Sequence, residues 1–226
     1  MIKRIFETDG KKAVLCQAEK MSAPLIVLNH YAGDGAEVMQ AMREINAPEC
    51  SLLIIDGRRW EHDMTPWYCA SVMGKDNPFT GGADDYLLLL ISDILPRALS
   101  VIGGNPAFIG IAGYSLAGLF ALYAAYRYDL FERIASISGS LWFPGFKEFA
   151  LTHEFARRPE KIYLSVGDRE AKTRNSILKT VQRNTEEIAE YYRKTGMDVS
   201  LELNPGNHFQ NAAQRCAKGI GAILEH

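Results

Sequence analysis

The chain has 226 residues, of which 47% are hydrophobic and 23% are charged, and its formal net charge at pH 7 is −2. This balance, without a basic run or a basic patch interleaved with aromatic residues, argues against a nucleic-acid partner. No apolar run approaches the length of a membrane span. The length suits a single domain, residues 1–226, with a large core.

The termini and the cysteines bear on the cellular compartment in which the protein is expected. The first twelve residues carry charges but no apolar segment typical of a signal peptide. The four cysteines, Cys16, Cys50, Cys69 and Cys216, lack the spacing of a metal site or a disulfide framework. We therefore expect a cytoplasmic protein with reduced thiols and with no metal or cofactor. The last three residues are either native or an affinity-tag remnant, so His226 is assigned no chemical role.

The predicted elements of the amino-terminal half begin with a hairpin, because Asp9-Gly10 is a dipeptide typical of hairpin turns. The predicted strands are 3–8, 11–18, 25–28 and 51–55, and the predicted helices are 37–45 and 84–100. Residues 58–83 are polar, aromatic and too irregular to assign. An irregular segment of this length more often has a function than not.

The carboxyl-terminal half continues the alternation of strands and helices. The predicted strands are 133–138, 161–166 and 199–203, and a long helix is predicted at 173–195 before a closing helix. Strands that are apolar throughout and alternate with helices are typical of a buried, mostly parallel sheet. We therefore expect an α/β fold with helices on both faces of the sheet.

Residues 107–128, AFIGIAGYSLAGLFALYAAYRY, form the centre of the predicted site. An apolar run suited to a buried strand leads directly into a helical run. Such a turn forces a strained bend whose apex residue, Ser115, projects clear of the sheet, and it needs small flanking residues. Gly113 meets this need, while Ala117 stands where the commonest pattern has glycine. The alternative interpretation is a tight turn whose serine satisfies backbone groups.

The loops after the later strands supply an acid and a base. Ligands of open α/β sheets bind outside the carboxyl ends of the strands. Those loops carry Ser115, then Asp168 and Glu170, then His208. The order serine, acid, histidine is expected of an α/β-hydrolase. Glu170 is preferred as the acid over Asp168, and the other carboxylate would solvate the turn or pair with a basic neighbour.

These residue types suit nucleophilic catalysis. A serine hydroxyl needs a base to take its proton, and a histidine can do so and then protonate the leaving group. A carboxylate on the other ring nitrogen fixes the tautomer. His208 is interpreted as the base, with a polar loop histidine as the alternative. His30 precedes the elbow and is interpreted as a loop or supporting residue, and His62 and His153 need no role.

Residues 107–226 resemble the esterase-D and enterochelin-esterase branch of the α/β-hydrolases. The matching segments are GYSLAGLFAL (113–122), SISGSLWF (136–143), SVGDREAKTRN (165–175) and NPGNHF (204–209). The amino-terminal half matches only in outline. The resemblance implies an α/β-hydrolase fold, places the acid at Glu170 and implies action on carboxylic esters, some of which are catecholate-siderophore esters in such relatives.

The hydrolase arrangement also needs two backbone N–H donors for an oxyanion hole. One is the N–H of Leu116, directly after the predicted nucleophile. The other belongs to the Gly-rich loop after strand 25–28, where Ala32 is preferred and Tyr31 is next; an ordinary tight turn is the alternative. This loop lacks a phosphate-binding pattern, so no nucleotide is expected.

The sequence therefore predicts a cofactor-free serine esterase that acts on a small-molecule ester, with the oligomeric state left open. A serine peptidase or amidase with the same three residues, and a non-catalytic binding module, are the alternatives. Arg58, Arg59 and Trp142 follow strands at the edge where Ser115 emerges, and they would suit an aromatic or anionic acyl group. The alternative places the arginines in solvent and Trp142 in the core.

Overall fold

The computed structural model describes residues 2–57, 59–72, 74 and 77–225. The strands are β1 (Ile2–Thr8), β2 (Lys11–Gln17), β3 (Leu25–His30), β4 (Ser51–Asp56), β5 (Tyr68–Cys69), β6 (Phe79–Thr80), β7 (Ile109–Tyr114), β8 (Arg133–Ile137), β9 (Lys161–Gly167) and β10 (Val199–Asn204). The helices are α1 (Ala36–Glu44), α2 (Trp60–Asp63), α3 (Ala83–Leu89), α4 (Leu95–Ile102), α5 (Leu116–Arg127), α6 (Phe146–Thr152), α7 (Val181–Lys194) and α8 (Ala212–Leu224).

Eight of the described strands form one sheet in the order β1-β2-β4-β3-β7-β8-β9-β10. The pairs β1–β2 and β2–β4 are antiparallel, whereas every pair from β4 to β10 is parallel. The carboxyl ends of the parallel strands therefore share one edge, and the loops that leave this edge are neighbours in space. The predicted mostly parallel sheet is confirmed.

Helices cover both faces of the sheet. One apolar cluster joins the sheet to α3–α7, and a second joins its other face to α1 and α8. In β3, Leu25 and Val27 belong to the first cluster and Ile26 and Leu28 to the second. All four are fully buried. Because successive side chains of a strand alternate between faces, a strand covered on both sides must be apolar throughout.

The predicted helix at 84–100 is confirmed, with one irregularity. Residues 83–102 are helical throughout, but Leu90–Ile94 form a π-helical turn between α3 and α4. None of the helices in the described ranges has the length and apolar character needed to cross a membrane.

The predicted start of the helix at residue 173 is wrong. The α-helix begins only at Val181, after a 3-10 turn at Leu178–Thr180. The Asn175 side chain accepts backbone N–H bonds from Ile177 at 2.9 Å and Leu178 at 3.1 Å, and donates to the Val72 carbonyl at 2.6 Å. These bonds hold a turn before the helix, since asparagine side chains compete with helical hydrogen bonding.

Part of the unassigned stretch 58–83 is held to the sheet by a buried ion pair. This stretch contains α2 and the two-stranded ribbon of β5 and β6. Lys11 of β2 donates to Asp63 of α2, and their side chains are 3% and 0% exposed. The pair fixes α2, and with it Trp60, beside the edge of the sheet.

Candidate active site

The turn from β7 into α5 has the strained geometry that its sequence predicts. Ser115 has φ 62° and ψ −124°, a backbone conformation that residues other than glycine rarely adopt. A Cβ atom at Gly113 would lie 2.3 Å from the backbone of Ala117, so only glycine fits there. The Ser115 N–H donates to the Ile137 carbonyl at 3.1 Å, which ties the turn to the end of β8. Ser115 therefore projects from the carboxyl edge of the sheet.

A chain of hydrogen bonds joins three of the predicted site residues. His208 Nε2 lies 2.9 Å from Ser115 Oγ, and His208 Nδ1 lies 2.7 Å from Glu170 Oε2. The three side chains follow β7, β10 and β9, whose carboxyl ends meet at one edge. The arrangement of hydroxyl, imidazole and carboxylate matches the geometry of a nucleophile, its base and the group that orients the base.

The structure places Glu170, not Asp168, against His208. Asp168 is exposed, and its Oδ1 accepts the Gly206 N–H at 2.8 Å. It therefore holds the turn that precedes His208. The second oxygen of Glu170 accepts the Gly167 N–H at 2.7 Å, so both carboxylate oxygens are engaged.

Glu170 is ionised in this setting. Its side chain is 3% exposed, and burial by itself raises the pKa of a carboxyl group. The hydrogen bond and charge of His208, with bonds from Ser138 and the Gly167 N–H, outweigh burial and hold the pKa of Glu170 below its usual value. The carboxylate is thus available to orient the imidazole.

Arg215 is a site residue that the sequence analysis missed. It lies in α8, is 2% exposed, and contacts the last residue of β7 and the loops after β8, β9 and β10. Its guanidinium donates to Tyr114 Oη at 3.3 Å, Ser138 Oγ at 2.9 Å, Glu170 Oε1 at 2.9 Å, the Pro205 carbonyl at 3.0 Å and the Asn207 carbonyl at 3.1 Å. In α8 it lies on the same helical face as Gly219 and Ile223, which are buried, but the sequence does not indicate the acceptors that surround its guanidinium.

Two further hydroxyl groups support the centre. The Tyr114 hydroxyl donates to the His208 carbonyl at 2.7 Å, and burial raises the pKa of Tyr114, so the hydroxyl keeps its proton. Ser140 is 2% exposed; its Oγ lies 3.3 Å from Ser115 Oγ, and its N–H donates to the Ser115 carbonyl. Both groups limit the freedom of the residues that they contact.

The two predicted oxyanion donors belong to the start of α5 and to the loop after β3, and this loop lies on the other side of β7 from β9. Leu116 is the first residue of α5, so its N–H has no acceptor within the helix. In the loop after β3, Tyr31 lines the cavity beside Ser115, while the side chain of Ala32 is exposed. His30 contacts the Ala32 carbonyl through Nδ1 at 2.6 Å and Glu37 through Nε2 at 3.0 Å. His30 thus supports the loop.

A cavity of about 620 Å³ opens above Ser115 and His208. Trp60, Phe79 and Trp142 form much of its apolar lining, and Tyr31 and Phe209 contribute exposed rings, with Phe209 89% exposed. This volume and lining are typical of small-molecule sites.

The hypothesis about Arg58, Arg59 and Trp142 is only partly supported by this cavity. Trp142 lines it, although the side chain is 9% exposed and packs in the core. Arg59 is not among the lining residues and instead pairs with Asp63 at 3.2 Å. Arg58 lies outside the described residues.

Metal ligands do not gather anywhere in the described ranges: no group of three or more His, Cys, Asp or Glu side chains is placed to hold an ion. His62 contacts Thr80 Oγ1 at 2.6 Å, and His153 stacks on Phe149. All four cysteines are free thiols.

The sheet order and the placement of the elbow define the fold as that of the α/β-hydrolases. Residues 31–212 match the Esterase family, described as "Putative esterase", and the chain therefore belongs to this family. The resemblance found in the sequence is confirmed, and the protein is an esterase.

Individual relatives are more distant. The protein YbbA of Bacillus subtilis (strain 168) is 26% identical over 198 residues, which cover 79% of this chain and 78% of that protein. An IroE-like serine hydrolase from Shewanella oneidensis superimposes with a TM-score of 0.77 at 18% identity, over 97% of this chain and 78% of the other. The siderophore hydrolase EstA from Aspergillus nidulans gives a TM-score of 0.72 at 18% identity, over 97% and 91%. These structural likenesses show the fold.

Proposed function

We propose that the protein is a serine hydrolase of small carboxylic esters, with Ser115 as nucleophile, His208 as general base and Glu170 as the orienting acid, all within one domain, residues 1–226. The observation that carries this proposal is the pair of hydrogen bonds that His208 makes, 2.9 Å to Ser115 and 2.7 Å to Glu170. Both ring nitrogens are thereby engaged in the way that the chemistry requires.

The reaction follows from these contacts. His208 Nε2 takes the proton of Ser115 as its Oγ attacks the ester carbonyl, and it returns that proton to the oxygen of the departing alcohol. Water then attacks the acyl-enzyme by the same route. Glu170 stabilises the imidazolium that forms in each half of the cycle, and its lowered pKa keeps it charged.

The negative charge that develops on the carbonyl oxygen of the ester needs hydrogen-bond donors on the side of the reacting carbon that is opposite His208. The N–H of Leu116 is one, and it also lies at the positive end of the α5 dipole. The second comes from the loop after β3, with Ala32 preferred and Tyr31 as the alternative. Removing one such donor from an enzyme costs about 10²–10³-fold in kcat.

The cavity favours esters with a flat, apolar acyl group. Its aromatic lining offers stacking faces close to Ser115. Siderophore hydrolases occur among the structural neighbours. Aromatic or siderophore-type esters are therefore the first substrates to assay, and no metal or cofactor is needed in this mechanism.

An active-site probe tests the assignment of the nucleophile. An organophosphonate should transfer its phosphonyl group to Ser115 with loss of its leaving group, which adds the phosphonyl mass to that peptide and abolishes hydrolysis of an aryl ester. Ser115→Ala should lose both labelling and activity. Ser140→Ala is the matched control, because its hydroxyl lies only 3.3 Å away in the same cavity and this variant should still be labelled at Ser115. Labelling of another serine, or an active Ser115→Ala, would overturn the proposal.

The peptidase or amidase alternative is separated by comparing an ester with the amide of the same acyl group. We expect kcat/KM for the ester to exceed that for the amide far beyond their difference in intrinsic reactivity. An equal or greater enzymatic acceleration of the amide would favour the alternative.

A further inference from the structure

In the part of the chain that the structure describes, the lysine and arginine side chains that line the cavity, Lys172 and Arg169, lie on one side of it. Arg169 and Lys172 are exposed lining residues of the loop between β9 and α7. Among the described residues, neither side chain is engaged in an ion pair. Their nearest acids in sequence are already used, since Asp168 accepts the Gly206 N–H and Glu170 binds His208 and Arg215. Both positive charges are therefore free to meet a ligand.

The sheet order fixes which side of the reacting bond these charges face. The loops of β3 and β4, with Tyr31 and Trp60, lie on one side of β7 and its Ser115. The loops of β9 and β10 lie on the other side. The Arg169 N–H donates to the Gly206 carbonyl at 3.1 Å, so the basic loop sits directly against the loop that carries His208.

The chemistry assigns the two sides to different parts of an ester. The carbonyl oxygen must face the oxyanion donors, on the side of Leu116 and the loop after β3. The oxygen of the leaving alcohol must face His208, which protonates it. A group attached to that oxygen extends toward the β9 and β10 loops, where Arg169 and Lys172 lie.

We propose that Arg169 and Lys172 form an anion subsite for the leaving alcohol, so that the preferred substrates are esters of hydroxy acids whose alcohol portion carries a carboxylate. The inference rests on the proposed roles of Ser115 and His208. The opposite wall supports it, because among the described residues the charged side chain that lines that wall is the acidic Glu61, which disfavours an anion on that side. Guanidinium and ammonium groups bind carboxylates through charge-assisted hydrogen bonds.

A pair of esters with one acyl group isolates the charge of the alcohol. O-benzoylglycolate carries a carboxylate on the leaving alcohol, and O-benzoylglycolamide is its neutral counterpart. A second pair, methyl 4-carboxybenzoate and methyl 4-carbamoylbenzoate, moves the charge to the acyl side. Each kcat/KM is divided by the hydroxide-catalysed rate of the same ester, which removes differences in intrinsic reactivity.

We expect the wild type to prefer the glycolate over the glycolamide ester. Arg169→Gln and Lys172→Gln should each lower this ratio by about three- to tenfold, the range for exposed to partly desolvated charge pairs. Added salt should lower it as well. Arg174→Gln is the matched control, because Arg174 is an exposed base of the same loop that does not line the cavity, and its ratio should equal that of the wild type.

An unchanged ratio in both variants, or a preference confined to the acyl-side pair, would overturn the anion subsite. A failure of the catalytic proposal gives a different result. The glycolamide ester would then be hydrolysed by Ser115→Ala as well as by the wild type.

Discussion

Replacing Arg215 with methionine removes the positive charge that faces Glu170 and keeps an unbranched side chain. The two side chains are 2% and 3% exposed, and their closest atoms are 2.9 Å apart. Removing one partner of a buried ion pair costs about 3–5 kcal/mol, because the other charge stays buried without compensation. We expect the free energy of unfolding to fall by about this amount, a large share of the about 5–15 kcal/mol typical of a protein.

The same change should alter the pH dependence of catalysis. With Arg215 gone, the negative charge of Glu170 acts on His208 without an opposing positive charge. The protonated imidazole is then favoured, and a protonated His208 cannot act as a base. The acid limb of the kcat/KM profile should therefore move to higher pH.

The assay combines urea unfolding, followed by circular dichroism, with ester hydrolysis measured across pH. Arg215→Lys keeps the charge but loses the planar fork that reaches Glu170 and the Pro205 and Asn207 carbonyls together. This variant should lose about 1–3 kcal/mol of stability, while its acid limb stays close to that of the wild type.

Arg133→Met is the matched control for a purely structural arginine. Arg133 is 12% exposed, lies at the start of β8, and donates to the carbonyls of Ile223 and Glu225. Its replacement should lower stability without moving the acid limb. Three results would contradict this role of Arg215: Arg215→Met matches the wild type in stability, its acid limb moves no more than that of Arg133→Met, or Arg215→Lys shifts the acid limb as far as Arg215→Met does.

Four further outcomes are expected. Glu170→Gln should lower kcat for an aryl ester by about 10²–10⁴-fold, whereas Asp168→Asn, which only loses its bond to the Gly206 N–H, should lower kcat by much less; the reverse ranking would give the acid role to Asp168. Folding lowers the pKa of Glu170 from 4.5. Its ionised form therefore contributes stability above that pH, and this contribution is lost as the pH falls through the lowered pKa. The difference in unfolding free energy between the wild type and Glu170→Gln should shrink in acid, and a constant difference would contradict this. Gly113→Ala should abolish soluble expression or activity, because its Cβ would lie 2.3 Å from Ala117. Gly103→Ala introduces a Cβ at a positive φ but with nothing within 4 Å, so it should lower the free energy of unfolding by only about 1 kcal/mol. Equal effects of the two changes would refute the packing argument. A chelator should leave kcat/KM unchanged, and a loss restored by a divalent metal would show that the mechanism is incomplete.

The sequence predicts the strained turn at Ser115 well because that turn depends on local geometry. A strand that passes directly into a helix leaves few conformations for Gly113 and Ser115. The fold class follows from apolar runs that alternate with amphipathic helices. These signals are contained within short segments, so no knowledge of distant contacts is needed.

Other features depend on contacts between distant segments. Asp168 and Glu170 occupy the same short turn, and only the position of the His208 loop separates their roles. Arg215 is unremarkable in sequence unless the acceptors that surround it are known. The start of α7 depends on Asn175 reaching Val72, more than one hundred residues away in the chain. None of these contacts has a local signature in the sequence.

The ion pair of Lys11 and Asp63 means that residues from the first third of the chain position one wall of the cavity. Trp60 is held by strands β2 and β4, whereas Ser115, Glu170 and His208 follow β7, β9 and β10. Amino-terminal substitutions can therefore reshape the wall without displacing the reacting groups. Substrate choice and chemistry can thus change independently within one chain.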